Sequence, residues 1–568
     1  MNSSKRSAFI IIVSVIVLLS VAAFYFKQPL KKRWANEAVE RFDDISVGVF
    51  NRRDARPFVL PEKLAHLTLI WRNTALWNDD ARLKEAIARG NVLVTIETWS
   101  NETWGSAGAD NNVLAETLKG NFDAQINRLA AIAKSSGHML LVRWNPDMEV
   151  PVQRYPWQLQ SPKQYIEAFN YFSAQLKRKA PNVKLIWAPS GYPGDSEYWP
   201  DAKNVDLISI TLKGTSEQML AENPYTLLSA PKLLAAKLHH MRFMAKPVII
   251  LGSQQLNPSN FRQRWVEDFA DTVQKYRNTI YSPGYFIESI PSKPTRIQLK
   301  VGVFDEKKRI NQLPGISVEH IFTDWGEIQR GDFKLKFDST ISRKHDAIVT
   351  VEPWKDTTHR SDPNVLEHVV KGNYDKTIKK LFAVISNSGQ TVYLRWAHEM
   401  EIPIHRYAWQ SSDPITYINA FRHFMAFAKA SNIRKVWGPA GDRGSADWFP
   451  GTDAVDFISI AIYGLPDKNI TDYNRQESFA TIFDRKNYRM RFLEKPFFIT
   501  EFGIKGPERY QRKWLHDAAS VIKQNKQVFG VCYFNLYDNP KAWGNIEAPD
   551  WSISTASMTA FLKDLNLQ

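Results

Sequence analysis

The chain has 568 residues, too many for one ordinary domain and enough for two of barrel size, with 44% hydrophobic and 23% charged residues as in a globular protein. Its formal net charge of +15 invites a nucleic-acid reading. The basic residues are scattered, however, and no zinc, phosphate-loop or RNA-binding signature accompanies them, so anionic lipid heads or an acidic polysaccharide are the simpler partners.

After a short tail (1–7), Ala8 to Phe26 form an uncharged apolar run long enough to cross a bilayer as one helix. Lys5 and Arg6 precede it, and Lys27, Lys31, Lys32 and Arg33 follow it. Ser20-Val21-Ala22 resembles a signal-peptide cleavage site, but the length of the run and the bulky Phe24, Tyr25 and Phe26 favour an uncleaved anchor. The expectation is a single-pass membrane protein with nearly all the chain on one side. In a Gram-negative bacterium this would be the inner membrane, with the main part periplasmic. Residues 27–44 are charged and read as a helical stalk.

From residue 45 onward one unit is written twice. SVGVF (46–50) returns as KVGVF (300–304), TIETW (95–99) as TVEPW (350–354), and LKGNFD (118–123) as VKGNYD (370–375). LLVRWNPDMEVPVQRYPWQ (140–158) returns as YLRWAHEMEIPIHRYAWQ (393–410), VDLISI (205–210) as VDFISI (455–460), and KPVIIL (246–251) as KPFFIT (495–500). The offset stays near 250 residues, as between Val205 and Val455, so each copy is a whole domain rather than a solenoid repeat. The copies span 45–296 and 297–568, joined near Ser292–Lys300.

Each copy alternates short apolar strands with amphipathic helices. In the second, Pro414 opens a helix capped by Ser412 or Asp413, with Ile415, Ile418, Phe421, Phe424 and Met425 at helical spacing. Such alternation over about 250 residues predicts an α/β fold of two tandem (β/α)8 TIM barrels behind the transmembrane helix, with chemistry at the C-terminal ends of the strands. The one cysteine, Cys532, sits in the apolar run VFGVCYF and reads as a small core residue.

The stretch with most chemistry is TVYLRWAHEME, 391–401, a strand that runs into Arg395, His398, Glu399 and Glu401. Ionisable groups at a strand end cost desolvation unless they are paired or used. Glu501, in FFITEFG, ends another strand-like run. Two carboxylates facing each other across a barrel mouth are what double-displacement hydrolysis of a glycoside requires, one as raised-pKa acid and one as ionised nucleophile, roughly 5–5.5 Å apart. The twelve histidines show no HExxH or similar spacing, so neither a metal nor a cofactor is expected.

At this point the second copy resembles glycoside hydrolase family 26, the mannanase-like members of the retaining barrel clan. The resemblance rests on TVEPW with Glu352 and Trp354, KGNYD, LRWAHEM, YAWQ, VWGP, IYG with Tyr463, ITEFG, and YFN followed by PDW, over most of 300–555. It implies that Glu399 is the acid/base on strand 4 and Glu501 the nucleophile on strand 7. It further implies that Tyr463 is bonded to the nucleophile, that His398 flanks the acid, and that Trp354 and Trp409 line sugar subsites; Arg395 and Glu352 complete the expected substrate-binding set. The family usually has Asn where Glu401 stands, and a carboxylate there would alter the sugar contacts or raise the pKa of Glu399. In the first copy Pro146-Asp147 replaces His398-Glu399 and Gly252 replaces Glu501, so that copy lacks a nucleophile and reads as a scaffold, a sugar-binding module or a docking surface.

The whole then reads as a membrane-anchored retaining endo-β-glycanase acting on mannan, glucan or a bacterial exopolysaccharide. The alternative, from a different class, is a non-hydrolytic polysaccharide-binding or assembly protein beside a membrane polysaccharide synthase.

Overall fold

The computed structural model describes residues 48–50, 57–59, 65–72, 80–99, 112–151, 155–212, 236–244, 246–252, 290–354, 362–403, 407–410, 413–465, 472–540, 545 and 547–567. The tail, the anchor (8–26) and the stalk (27–44) lie outside the described residues. Among those described, no helix is long and apolar enough to cross a membrane. The chain divides into two compact units, Met1–Met241 with Ala245–Tyr276, and Arg277–Gln568 with Arg242–Met244.

The second unit contains a closed parallel barrel. Its strands are, in order, Lys300–Phe304, Val318–Asp324, Asp346–Glu352, Val392–Trp396, Ile433–Trp437, a split sixth strand (Phe457–Ile458 and Ala461–Tyr463), Phe497–Gly503 and Val528–Phe534. Each pairs in parallel with the next, and the eighth pairs with the first, so no edge is left open. The sequence explains the closure. These segments are runs of Val, Ile, Phe and Tyr buried on both faces, as strands between a barrel interior and a helical shell must be.

Inside, Val318, Ile348, Tyr393, Val436, Phe457, Phe498 and Cys532 form one apolar cluster, one residue from each of the second to eighth strands. Each such side chain contributes about 1.5–3 kcal/mol by leaving water. Cys532 is fully buried here as a free thiol. Two residues further along the strands the interior turns polar, with His320, Thr350 and Arg395 all buried. This change of layer positions the site at the C-terminal end of the barrel.

The helix after the fourth strand runs Pro414–Met425, with the Asp413 carboxylate accepting from the Thr416 N–H at 2.9 Å. Its buried face is Tyr417, Ile418, Phe421, Phe424 and Met425; Ile415 is only half-buried, because Tyr417 fills the core position on that turn. The join is pinned to the second unit. Arg296 donates to the Ile522, Asn525 and Val528 carbonyls at 2.7–2.8 Å, closing the orphan end of helix Glu508–Gln524. Lys293 reaches the Met490 carbonyl at 3.1 Å.

In the first unit, Ala65–Arg72, Val92–Trp99, Leu140–Trp144, Lys184–Trp187, Leu207–Leu212 and Val248–Gly252 are parallel neighbours in that order. Among the described residues the expected second barrel is not shown. Gly48–Phe50 lies antiparallel to Val248–Gly252 and to Pro57–Val59, and among the described residues the sheet does not close. The second unit's equivalent strand, Lys300–Phe304, is held in parallel between the second and eighth strands. The counterpart of Val528–Phe534 in the first unit lies outside the described residues.

Candidate active site

The fourth strand ends at Trp396, and the chain then turns through two left-handed residues, Ala397 (φ 46°) and Glu399 (φ 53°). Non-glycine residues pay of order 1 kcal/mol each for this conformation, and such strain concentrates at functional sites. The turn is held by the Ala397 N–H on the Val351 carbonyl (3.1 Å) and the Glu399 N–H on the Gly438 carbonyl (2.8 Å). It leaves the Glu399 side chain half-buried at the barrel rim while its neighbours His398 and Met400 are buried.

Glu501 comes from the seventh strand. Ile458 faces Phe497, but three residues on Ala461 faces Glu501, so the seventh strand carries one extra residue relative to the sixth. Pairing with the eighth strand is also irregular between Ile499 and Phe502. Bulges of this kind re-aim a side chain, and here the result is a buried carboxylate on the barrel mouth.

Both oxygens of Glu501 are engaged. The Arg395 guanidinium pairs with Oε1, and the Tyr463 hydroxyl donates to Oε2 at 3.1 Å. Arg395 is in turn fixed by its Nε–H on Thr350 Oγ1 at 2.8 Å, and its guanidinium carbon lies 5.8 Å from the Phe322 ring centre. Burial, then Glu501, Asp538 and Glu399 hold the Tyr463 phenol far above its usual pKa, so it stays a donor. Glu399 follows the C-terminal end of the fourth strand and Glu501 lies in the C-terminal half of the seventh, so the closed parallel barrel puts both at the same end. His320 bonds Thr350 Oγ1 at 2.7 Å, and burial followed by the Arg395 charge keeps its imidazole neutral.

The remaining candidates divide between mouth and scaffold. Glu352 is buried at the end of the third strand, and Trp354 follows it. Trp409, expected to line a sugar subsite, is fully buried instead; its indole N–H donates to the His398 carbonyl at 2.8 Å and its ring stacks on Tyr407 at 4.5 Å. It props the turn that bears Glu399. Trp354 packs edge-on against both Tyr407 (4.9 Å) and Trp409 (5.4 Å), and the His398 ring lies 5.4 Å from Tyr407.

Glu401 is buried beneath the same turn. Its Oε1 accepts from the Gly441 N–H (2.9 Å), the Asp442 N–H (3.2 Å) and the Ser445 hydroxyl (2.6 Å), so it ties the acid's turn to the loop after the fifth strand. Burial raises its pKa, against the hydrogen bond from Ser445. Buried Lys486 holds the same loop through the Ala440 and Ala461 carbonyls, both at 2.6 Å.

Thr350, His320, Tyr407 and Gly438 were not anticipated. The first three have counterparts in the first copy (Thr95, His66 and Tyr155), and that identity was the signal available. Among the described residues no group of three or more His, Cys, Asp or Glu side chains could hold a metal ion.

The first unit repeats this framework bond by bond. Asn145 (φ 43°) and Asp147 (φ 58°) make the same double turn. The Asp147 N–H bonds the Ala188 carbonyl (2.9 Å), Trp157 donates to the Pro146 carbonyl (2.7 Å), and Gln158 to the Asp147 carbonyl (3.1 Å). Glu149 accepts from the Tyr192 N–H at 3.0 Å, as Glu401 does from its loop. What differs is the nucleophile position. The strand Val248–Gly252 pairs with Leu207–Leu212 in unbroken register and ends in glycine, and Arg143 bonds Ser209 (2.9 Å) and Thr95 (3.2 Å) instead of a carboxylate on that strand.

No family model matches the chain. Over 155 residues it is 28% identical to a β-1,3-xylanase, TXYA, of a Vibrio species, covering 26% of this chain and 30% of that protein. It is 25% identical over 151 residues to a β-1,3-xylanase of an Alcaligenes species (26% and 29% covered), and 23% identical over 267 residues to endoglucanase H of Acetivibrio thermocellus (44% and 27%). The matches thus span less than a third of the length of these curated relatives. Among solved structures, the chain is similar to a GH26 β-mannanase from Bacteroides ovatus, with TM-score 0.34, 13% identity, and 47% of this chain and 85% of that one covered. It is also similar to a GH128 endo-β-1,3-glucanase from Amycolatopsis mediterranei, with TM-score 0.29, 11% identity, and 46% and 99% covered.

Proposed function

We propose that the second unit is a retaining endo-β-glycanase, similar to family 26, in which Glu501 is the nucleophile and Glu399 the acid/base. The observation that carries this reading is the convergence on one barrel mouth of a half-buried Glu399 and a Glu501 whose two oxygens are held by Arg395 and Tyr463. The relatives named as xylanases and an endoglucanase support the reaction class.

In the first step Glu501 attacks the anomeric carbon while Glu399 gives its proton to the departing glycosidic oxygen. A glycosyl ester forms on Glu501 and the aglycone leaves as an alcohol. In the second step the Glu399 carboxylate takes a proton from water, the hydroxide attacks the same carbon, and the ester bond to Glu501 breaks. Arg395 and Tyr463 orient the nucleophile, and Tyr463 donates to it throughout.

We read the first unit as a degenerate copy that cannot run this sequence, because Gly252 stands where the nucleophile is needed. The apolar run 8–26 supports a membrane-anchored protein with a glycan as partner. The test is release of reducing ends from glucomannan, mixed-linkage β-glucan and β-1,3-xylan by the purified chain, and its loss in Glu501→Ala. Undiminished release by Glu501→Ala would overturn the assignment.

A further inference from the structure

The first unit has lost the means of cleaving a glycoside but has kept what shapes the mouth around one. The double left-handed turn, the Glu149 tether and the Trp157 and Gln158 props are all present. A buried lysine again holds the loop after the fifth strand, Lys237 donating to the Ser190 carbonyl at 2.5 Å. Scaffolding alone does not need the strained turn, since its cost is recovered only if the side chain it presents has work to do.

That side chain is Asp147, half-buried as Glu399 is. Burial lowers the pKa of the Arg143 guanidinium, and Asp147 and then Glu97 act against that shift. Two residues after Glu97 on the same strand, Trp99 belongs to an aromatic group. Tyr155 stacks on Trp157 at 4.7 Å with ring planes 10° apart, and Trp99 meets both edge-on at 5.9 and 6.0 Å. Trp157 is fully buried, whereas Trp99 and Tyr155 are half-buried, more open than Trp354 and Tyr407 in the second unit.

Carboxylates at a rim beside partly open aromatic rings suit one ligand chemistry. A pyranose offers adjacent hydroxyls to the carboxylates and a face of C–H groups to the electron-rich rings. We infer that the first unit is a glycan-binding site, centred on Asp147, Glu97, Trp99 and Tyr155, that holds the same class of β-linked polysaccharide without cleaving it. This rests on the reading of the second unit as a β-glycanase.

The experiment uses the full chain carrying Glu501→Ala, so that bound ligand persists. Hexasaccharides of β-1,4-mannose, mixed-linkage β-glucose and β-1,3-xylose are titrated calorimetrically. Two sites per chain are expected for the sugar that the wild-type chain cleaves. Trp99→Ala with Tyr155→Ala should remove one of them. Asp147→Asn, which suits the same left-handed backbone and spares the aromatic packing, should weaken that site at least tenfold. One site per chain alongside wild-type turnover would overturn the inference and leave the glycanase reading standing. So would two sites that Asp147→Asn leaves unchanged in a chain with the parental melting temperature. Two sites sensitive to Asp147→Asn, with no turnover of any polymer by wild type, would support the inference and sink the glycanase reading.

Discussion

Gly438→Ala is the sharpest probe of the site, because the structure sets its size. A methyl group at that position would lie 2.5 Å from Arg395 Cδ, 2.8 Å from Cγ and 3.4 Å from His398 Cβ. Carbon atoms pack comfortably at about 3.5–4.0 Å, so the arginine stem must move by about 1 Å. It has no slack, being buried and fixed at its far end to Thr350 and Glu501. Overpacking of this kind costs about 1–3 kcal/mol, and breaking a buried ion pair outright costs about 3–5 kcal/mol. A partial loosening should therefore cost about 2–4 kcal/mol. At roughly 2–4 °C per kcal/mol for a unit of this size, the calorimetric transition of the second unit should fall by about 4–16 °C. The same displacement tilts the nucleophile, and a misplacement of about 1 Å costs on the order of 10²-fold in kcat with KM little changed. Gly137→Ala, where a methyl meets nothing within 4 Å, is the matched control and should be neutral. Parental melting and turnover in Gly438→Ala would mean that Arg395 does not lie against residue 438, and the account of how Glu501 is held would fall with it.

Tyr463→Phe deletes the 3.1 Å hydrogen bond to Glu501 while keeping the ring on Trp551; a bond to a charged group is worth about 1.5–3 kcal/mol, so kcat should drop roughly 10–100-fold, and an unchanged kcat would remove the tyrosine from the mechanism. Glu399→Gln should lose about 10²–10⁴-fold on polysaccharide but far less in the glycosylation step of an aryl glycoside whose leaving group needs no proton; equal losses on both would argue against the acid role. His66 should make the first unit acid-labile. Burial, then Arg143, lower its pKa from 6.5 to about 3, so the unfolded chain takes up the proton first. Stability is whole above pH 6.5 and drains as pH falls toward 3, by on the order of 4–5 kcal/mol. His66→Gln should flatten urea midpoints between pH 6.5 and 3, and an unaltered slope would contradict the assignment.

Much of the site was legible because chemistry and strand pattern coincide in the chain. Arg395, Glu399 and Glu501 each follow an apolar run, and charge at the end of a buried strand is costly enough to need a reason. The burial of Trp409 and Glu401 was not readable from the chain, for a shared cause. Their spacing from Glu399 is local, but whether a side chain turns to the mouth or away depends on the two left-handed residues at 397 and 399, and neither alanine nor glutamate announces that conformation. The seventh-strand bulge was equally hidden, because an extra residue is defined only against the neighbouring strand.

The amino-acid sequence by itself determined the duplication, the strand–helix alternation and the pair of acidic residues of the second unit. Hydrophobic period and residue type are properties of the chain read locally, and a repeat needs only comparison of the chain with itself. Tertiary structure alone decided that Arg395 takes the Glu501 oxygen opposite the one Tyr463 bonds, that the seventh strand carries an extra residue, and that Glu401 serves a loop. These are contacts between residues up to 106 positions apart, and their partners are chosen by strand register and packing, which exist only once the chain has folded.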